Sequence, residues 1–200
     1  MPARTLVLAS GSPARLRLLR DAGFDPEVKV SGVDEDDVDP ADTVASVAVL
    51  AARKAEAVAR PGGTDLVLGC DSLLEFDGRS HGKPATPAEA RGWLVAMRGR
   101  TGVLHTGHCL IDEDTGRRAQ AVIGTTVRFG VTTDAELDAY LADSDVLQVA
   151  GAFTLDGRSA PFVEGIDGDH GNVIGLSLPG LRRLLGELGV AVTDLWVDPR

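Results

Sequence analysis

Apolar positions along this chain come in short, dense runs separated by small-residue turns. The runs are of two kinds. Thr5 to Ala9 is apolar almost throughout and reads as a buried strand, followed by a Ser/Gly turn and a helix from about Pro13 to Asp21, closed by Gly23. Val28 to Val30 reads as a second strand, and Thr43 to Arg60 as a long Ala/Val-rich helix stopped by Pro61-Gly62-Gly63. Leu66 to Gly69 and Leu73 to Phe76 read as two further strands, the second ending at the Asp77-Gly78 turn. Thr86-Pro87-Ala88-Glu89 and Thr133-Asp134-Ala135-Glu136 open two helices as capping boxes. Val103 to Ile111 and Ala119 to Phe129 read as long antiparallel strands, and a last helix runs from near Pro179 to Gly189. Strands and helices alternate without a strict βαβ rhythm. The expectation is an α/β sandwich on a mixed sheet, a single domain over residues 1–200 shaped as two lobes around a cleft.

Composition narrows the class. An apolar fraction of 44% with 25% charged residues is that of a globular protein, and 4% aromatic content leaves the core to Val, Leu, Ala and Ile. Leu6 to Ala9 is too short for a signal-peptide core or a membrane span. Cys70 and Cys109 belong to no CxxC pair, which fits reduced thiols in a cytoplasmic protein. A net charge of −10 argues against nucleic acid as a partner, so cations for a small anionic substrate must be gathered in one place.

Several segments offer such a place. In Ser10-Gly11-Ser12-Pro13-Ala14-Arg15 a strand turns into a helix, and the free N–H groups there suit a phosphate. Arg15 falls in the first turn, where a cation opposes the helix dipole by roughly 0.3–1 kcal/mol unless an anion is bound. A serine N-cap beside a surface arginine has the same letters. Asp71 follows the apolar run Leu66 to Gly69, and a carboxylate at a strand's carboxyl end sits where open α/β sheets place their sites. Lys83, between Gly82 and Pro84, is held on a rigid turn; the segment Gly78 to Lys83 is one residue short of a P-loop and lacks its Ser/Thr. Lys54 lies near the apolar face of its helix and needs an anionic partner or must snorkel. In the loose acidic stretch Ser31 to Asp42, one carboxylate of Asp34-Glu35-Asp36-Asp37 is a candidate ligand for a hard cation. His105 and His108, three apart on a strand, face opposite sides and cannot share a metal without a bulge. No nucleophile-elbow pattern surrounds Ser10 or Ser12, so a serine hydrolase using His170 has little support.

Taken in order, these pieces resemble the Maf family of nucleotide pyrophosphatases over essentially the whole chain. The motifs are Leu8-Ala9-Ser10-Gly11-Ser12-Pro13 with Arg15, Val33-Asp34-Glu35, Ala51-x-x-Lys54-Ala55, Gly69-Cys70-Asp71 and Gly82-Lys83-Pro84. Gly99-Arg100-Thr101 with Thr106-Gly107, Ala150-Gly151-Ala152-Phe153, and Ile166-x-Gly168-Asp169-x-x-Asn172-Val173-x-Gly175-Leu176 complete the set. The resemblance implies a two-lobed fold related to the house-cleaning inosine triphosphatases. It implies hydrolysis of a nucleoside triphosphate to the monophosphate and pyrophosphate with a divalent metal such as Mg²⁺ or Mn²⁺, and often a homodimer. It gives Asp71 the part of proton acceptor or metal ligand, Glu35 that of a second metal ligand, and Ser10, Arg15, Lys54 and Lys83 those of triphosphate contacts.

The chain departs from the family pattern twice. Ala14 stands where the family commonly has the first of two arginines, and Asp156 stands where it often has a glutamine tied to base choice. Asp156 is therefore a candidate substrate contact. The alternative class is a regulatory protein that binds a partner in cell division. Such a protein would not need Arg15, Lys54, Asp71 and Lys83 together.

Overall fold

The computed structural model describes residues 4–35, 42–142 and 144–197. Its centre is a mixed sheet in the order β2-β1-β3-β5-β6-β7, with β4 also paired to β3. The strands are β1 (Leu6–Leu8), β2 (Glu27–Val28), β3 (Leu66–Phe76), β4 (Arg79–His81), β5 (Thr101–Asp112), β6 (Arg118–Phe129) and β7 (Val163–Asp167). β1 runs parallel to β2 and β3, whereas β3, β5, β6 and β7 alternate in direction. The helices are α1 (Pro13–Asp21), α2 (Thr43–Val58), α3 (Pro87–Met97), α4 (Asp134–Leu141), α5 (His170–Ile174) and α6 (Leu178–Glu187). Among the described residues, no helix is long and apolar enough to cross a membrane.

Helices cover both faces of the sheet. Leu6, Leu8, Leu68 and Leu110 meet Leu19 of α1 and Leu181, Leu184 and Leu185 of α6 on one face. Val7, Val67 and Cys109 meet Ala51 and Ala55 of α2 on the other. The alternation is what a doubly covered sheet demands, since successive side chains point to opposite sides. Farther along the strands a second core forms around Leu74, Phe76, Leu104, Val127 and Phe129 with Met97 of α3, and α3 and α4 pack beyond it through Ala90, Leu94, Leu137 and Tyr140. The two cores are the two lobes, and a cleft of about 990 Å³ lies between them.

The structure joins what the sequence divides. Leu66 to Gly69 and Leu73 to Phe76 are halves of one strand, because β5 pairs with β3 from Leu66 through Glu75 and gives Cys70, Asp71 and Ser72 ladder partners. Asp71 is thus in mid-strand and not at a strand end. It lies where the strand's outer edge is unpaired: β1 pairs only with Leu66–Leu68 and β4 only with Leu74–Phe76, and both must use the edge that β5 leaves. Between them a stretch of that edge faces the cleft. The second strand is also displaced slightly, to Glu27–Val28, with Lys29 N–H still donating to the Leu8 carbonyl.

Cap chemistry follows the sequence closely. Thr133 and Glu136 form a reciprocal capping box on α4. Thr86 accepts from the Glu89 N–H, but the Glu89 carboxylate turns to the Ala85 N–H, one residue upstream of the box position. His105 and His108 do face opposite sides. His105 meets Glu75, while His108 is buried, with Nδ1 at the Thr106 carbonyl and Nε2 accepting from the Ser177 N–H that opens α6. Burial, and then the charge of Arg15, push the His108 pKa down to about 4, so it is a neutral structural imidazole.

Candidate functional site

Two glycines set how the site is assembled. A Cβ on Gly69 would lie 2.2 Å from the Ala51 carbonyl, and one on Gly107 would lie 2.1 Å from that of Val47. These neighbouring strand positions therefore let α2 rest directly on the sheet backbone. Lys54, one turn beyond Ala51, is thereby brought over Asp71, which shares a face of β3 with Gly69.

Lys54 is buried and its ammonium is shared. It donates to Asp71 Oδ1 at 2.6 Å and to Glu35 Oε1 at 2.5 Å. The anionic-partner reading of Lys54 therefore holds, and snorkelling does not. Burial raises the Asp71 pKa above its ordinary value, against the opposing pull of Lys54 and Arg15. Glu35 is half exposed, and although burial is the largest single influence on it, the hydrogen bond and charge of Lys54, with Lys83 and Arg15, hold its pKa below the usual range. One ammonium thus serves two carboxylates that titrate in opposite directions. The difference is their burial, with side chains 8% and 43% exposed respectively.

On the other flank, Ser12 caps α1, accepting from the Arg15 N–H, and Pro13 occupies the first turn. The Arg15 side chain is buried and clamped from three directions. Nε donates to the Gly175 carbonyl at 2.8 Å, and its terminal nitrogens donate to Ser10 Oγ at 3.1 Å and Ser72 Oγ at 3.0 Å. Ser72 is backed in turn by Thr106 Oγ1, which donates to the Asn172 carbonyl. All these acceptors are neutral. Among the described residues no carboxylate lies within ion-pair distance of Arg15, although its charge still acts on Asp71 and Glu35. A buried cation whose direct hydrogen-bond partners are all neutral suits an anionic ligand.

Lys83 lies on the loop after β4, more than half exposed and 3.8 Å from Glu35 Oε2. Ser10, Arg15, Glu35, Lys54, Asp71 and Lys83 all border the same cleft, so the structure brings these candidates together. Asp156 borders it as well, and its carboxylate pairs with Arg17 of α1 and accepts from the Thr154 hydroxyl. Asp36 and Asp37 lie outside the described residues. Cys70 is fully buried and its thiol is pushed up to about 12, chiefly by burial, which makes it inert.

For a cation, the cleft supplies oxygen donors only. Asp71 and Glu35 converge on one ammonium through one oxygen each, and the second oxygen of Glu35 lies 3.8 Å from the Lys83 ammonium. No group of three His, Cys, Asp or Glu capable of holding a metal occurs among the described residues. Two carboxylates fit a hard divalent ion whose remaining ligands are substrate phosphates and water, and do not fit zinc.

Sequence reasoning missed Ser72, Thr106 and the Gly175 carbonyl as the frame of Arg15, and Arg17 as the partner of Asp156. The nearest signal was the position of Ser72 directly after Asp71. Thr106 and Gly175 stood in the family motifs without a role, and Arg17 left no signal.

A family model described as "Maf-like protein" matches residues 5–188. A protein of Streptomyces avermitilis named nucleoside triphosphate pyrophosphatase is 61% identical over 98% of this chain and 96% of its own length. Proteins with the same name from Streptomyces coelicolor, 60% identical over 98% of this chain and 96% of its own, and Gloeothece citriformis, 49% identical over 95% and 97%, are similar throughout as well.

Proposed function

Since the chain belongs to the Maf family, we propose that it hydrolyses nucleoside triphosphates between the α- and β-phosphates, in the cytoplasm, with both thiols reduced. The observation that carries this reading is the buried Arg15, hydrogen-bonded to neutral acceptors, in one cleft with a buried carboxylate, Asp71, whose pKa is raised. A cation held in place by neutral acceptors suits a phosphate, and a desolvated carboxylate in the same cleft suits a proton acceptor.

In this mechanism the triphosphate lies along the N-terminus of α1. Ser10, Arg15 and Lys83 meet its oxygens, and the exposed reach of Lys83 suits the outer phosphates. A water at Asp71 attacks the α-phosphorus in line with the bridging oxygen to the β-phosphate. Its proton passes to Asp71, the α–β bridge breaks, and the electron pair leaves with pyrophosphate. Lys54 keeps Asp71 ionised and aimed, which fixes the geometry before the reaction and limits reorganisation during it. Asp71 and Glu35 would hold a divalent ion, whose chemistry is to neutralise charge on the transferred phosphoryl oxygens. A protein acting only by docking a division partner would leave the buried Arg15 and the Lys54-bridged carboxylates without a purpose.

Purified protein with Mg²⁺ and a panel of triphosphates tests the reading. Wild type should release pyrophosphate. Asp71→Asn keeps the shape but cannot take a proton, and should lose ~10²–10⁴-fold in kcat while its circular dichroism stays unchanged. Turnover by Asp71→Asn within a few-fold of wild type would overturn the assignment.

A further inference from the structure

The backbone under the lysine loop is pinned by an unusual turn. Residues Ala150–Ala152 form a short 3₁₀ turn in which two consecutive residues are left-handed, Gly151 at φ 68° and Ala152 at φ 61°. Glycine takes such a φ freely. Alanine does not, and left-handed non-glycine residues persist only where their surroundings over-determine them. Gly151 is itself confined, since a Cβ there would lie 2.7 Å from Leu74 Cδ2.

Two hydrogen bonds leave this turn in opposite directions. On one side the Gly151 N–H donates to the Gly82 carbonyl at 2.9 Å, fixing the residue before Lys83. On the other, the Ala152 carbonyl accepts from the Tyr140 hydroxyl at 2.9 Å. Tyr140 lies on α4, buried beside Leu137, Ala90 and Leu94, with its ring edge-on to Phe162 at 5.7 Å. It does not border the cleft. Ala150 and Phe153, on either side of the strained pair, do.

We propose that Tyr140 is a positioning residue: its hydroxyl holds Ala152 in the left-handed conformation and thereby sets the Gly151–Gly82 bond that places Lys83 against the phosphates. The inference rests on the proposed phosphate role of Lys83. Lys83 is long and exposed, so its charge is useful only if its backbone is fixed. Gly82 gives that backbone freedom, and the bond to Gly151 removes it. The strain at Ala152 is what would undo this bond, and the Tyr140 hydroxyl opposes the strain from the far side.

The test compares Tyr140→Phe, Ala152→Gly and the double variant by KM and kcat on the best wild-type triphosphate, and by calorimetric binding of inorganic triphosphate with Mg²⁺. Tyr140→Phe removes the hydroxyl's bond to the Ala152 carbonyl and should weaken triphosphate binding and raise KM about fivefold, with kcat lowered less. In the double variant glycine takes φ 61° without help, so binding and KM should return most of the way to wild type while Tm stays low. A purely structural tyrosine would lower Tm and leave KM and binding unmoved, and either that result or a double variant no better than Tyr140→Phe would overturn the proposal. If wild type itself releases no pyrophosphate and binds no triphosphate, the phosphate reading of the cleft fails instead, and the two failures are distinguishable.

Discussion

Lys54→Met separates what the shared ammonium does for the fold from what it does for the reaction. Methionine keeps most of the stem and its packing against the sheet but removes the charge. In the wild type the ammonium meets Asp71 Oδ1 at 2.6 Å and Glu35 Oε1 at 2.5 Å. The Glu35 half contributes little to stability, because that carboxylate is 43% exposed and can turn to water. The Asp71 half is different, since both partners are only 8% exposed. Removing one member of a buried pair costs about 3–5 kcal/mol when the survivor stays charged. Asp71 has an escape, which is to bind a proton. Its pKa is already raised by burial, and Lys54→Met deletes the main influence holding it down. A carboxyl whose folded pKa lies above its unfolded value stabilises the fold below the unfolded pKa and loses that contribution as pH rises through the folded one. The penalty should therefore be largest near neutrality, a few kcal/mol, and shrink by about half or more as the pH approaches that of an ordinary carboxylate, about 3.9. Urea unfolding of both proteins across this range measures it. A penalty below about 1 kcal/mol at neutral pH, or one that does not change with pH, would refute the view that Lys54 holds a buried anion.

Two other outcomes follow from the same geometry. Turnover should vanish in EDTA and return with Mg²⁺ or Mn²⁺, because Asp71 and Glu35 offer hard oxygen donors; full turnover in chelator would show that no such ion is needed. Asp156→Gln should raise kcat/KM for UTP and dTTP relative to GTP and 7-methyl-GTP, since a carboxylate only accepts and suits guanine donors, whereas an amide also donates; unchanged ratios would confine Asp156 to its pairing with Arg17 and Thr154.

Much of this architecture is legible in local sequence, and the illegible parts share a cause. The long strands β5 and β6 and the helices α2, α4 and α6 are visible because apolar periodicity and capping residues act over a few positions. β3 is misread as two strands because Cys70-Asp71-Ser72 looks like a turn. Only its pairing with β5, some forty residues away, shows that the strand continues. Lys54 is flagged by its apolar flank as needing an anion, and the structure supplies which one. Arg15 is the sharper case. Locally it is a cation at the wrong end of a helix; its burial is imposed by the Gly175 carbonyl and Ser72, contacts made across the whole chain. The motif order brings these segments under one family resemblance, but the frame that fixes Arg15 and the turn that fixes Lys83 are tertiary facts.

The central claim is that water attacks the α-phosphorus in the cleft between Arg15 and Asp71. Hydrolysis in ¹⁸O-labelled water, with both products analysed by mass spectrometry, tests it most directly. The account predicts one labelled oxygen in the nucleoside monophosphate and none in pyrophosphate. Label in pyrophosphate, or orthophosphate and nucleoside diphosphate as the first products, would contradict it.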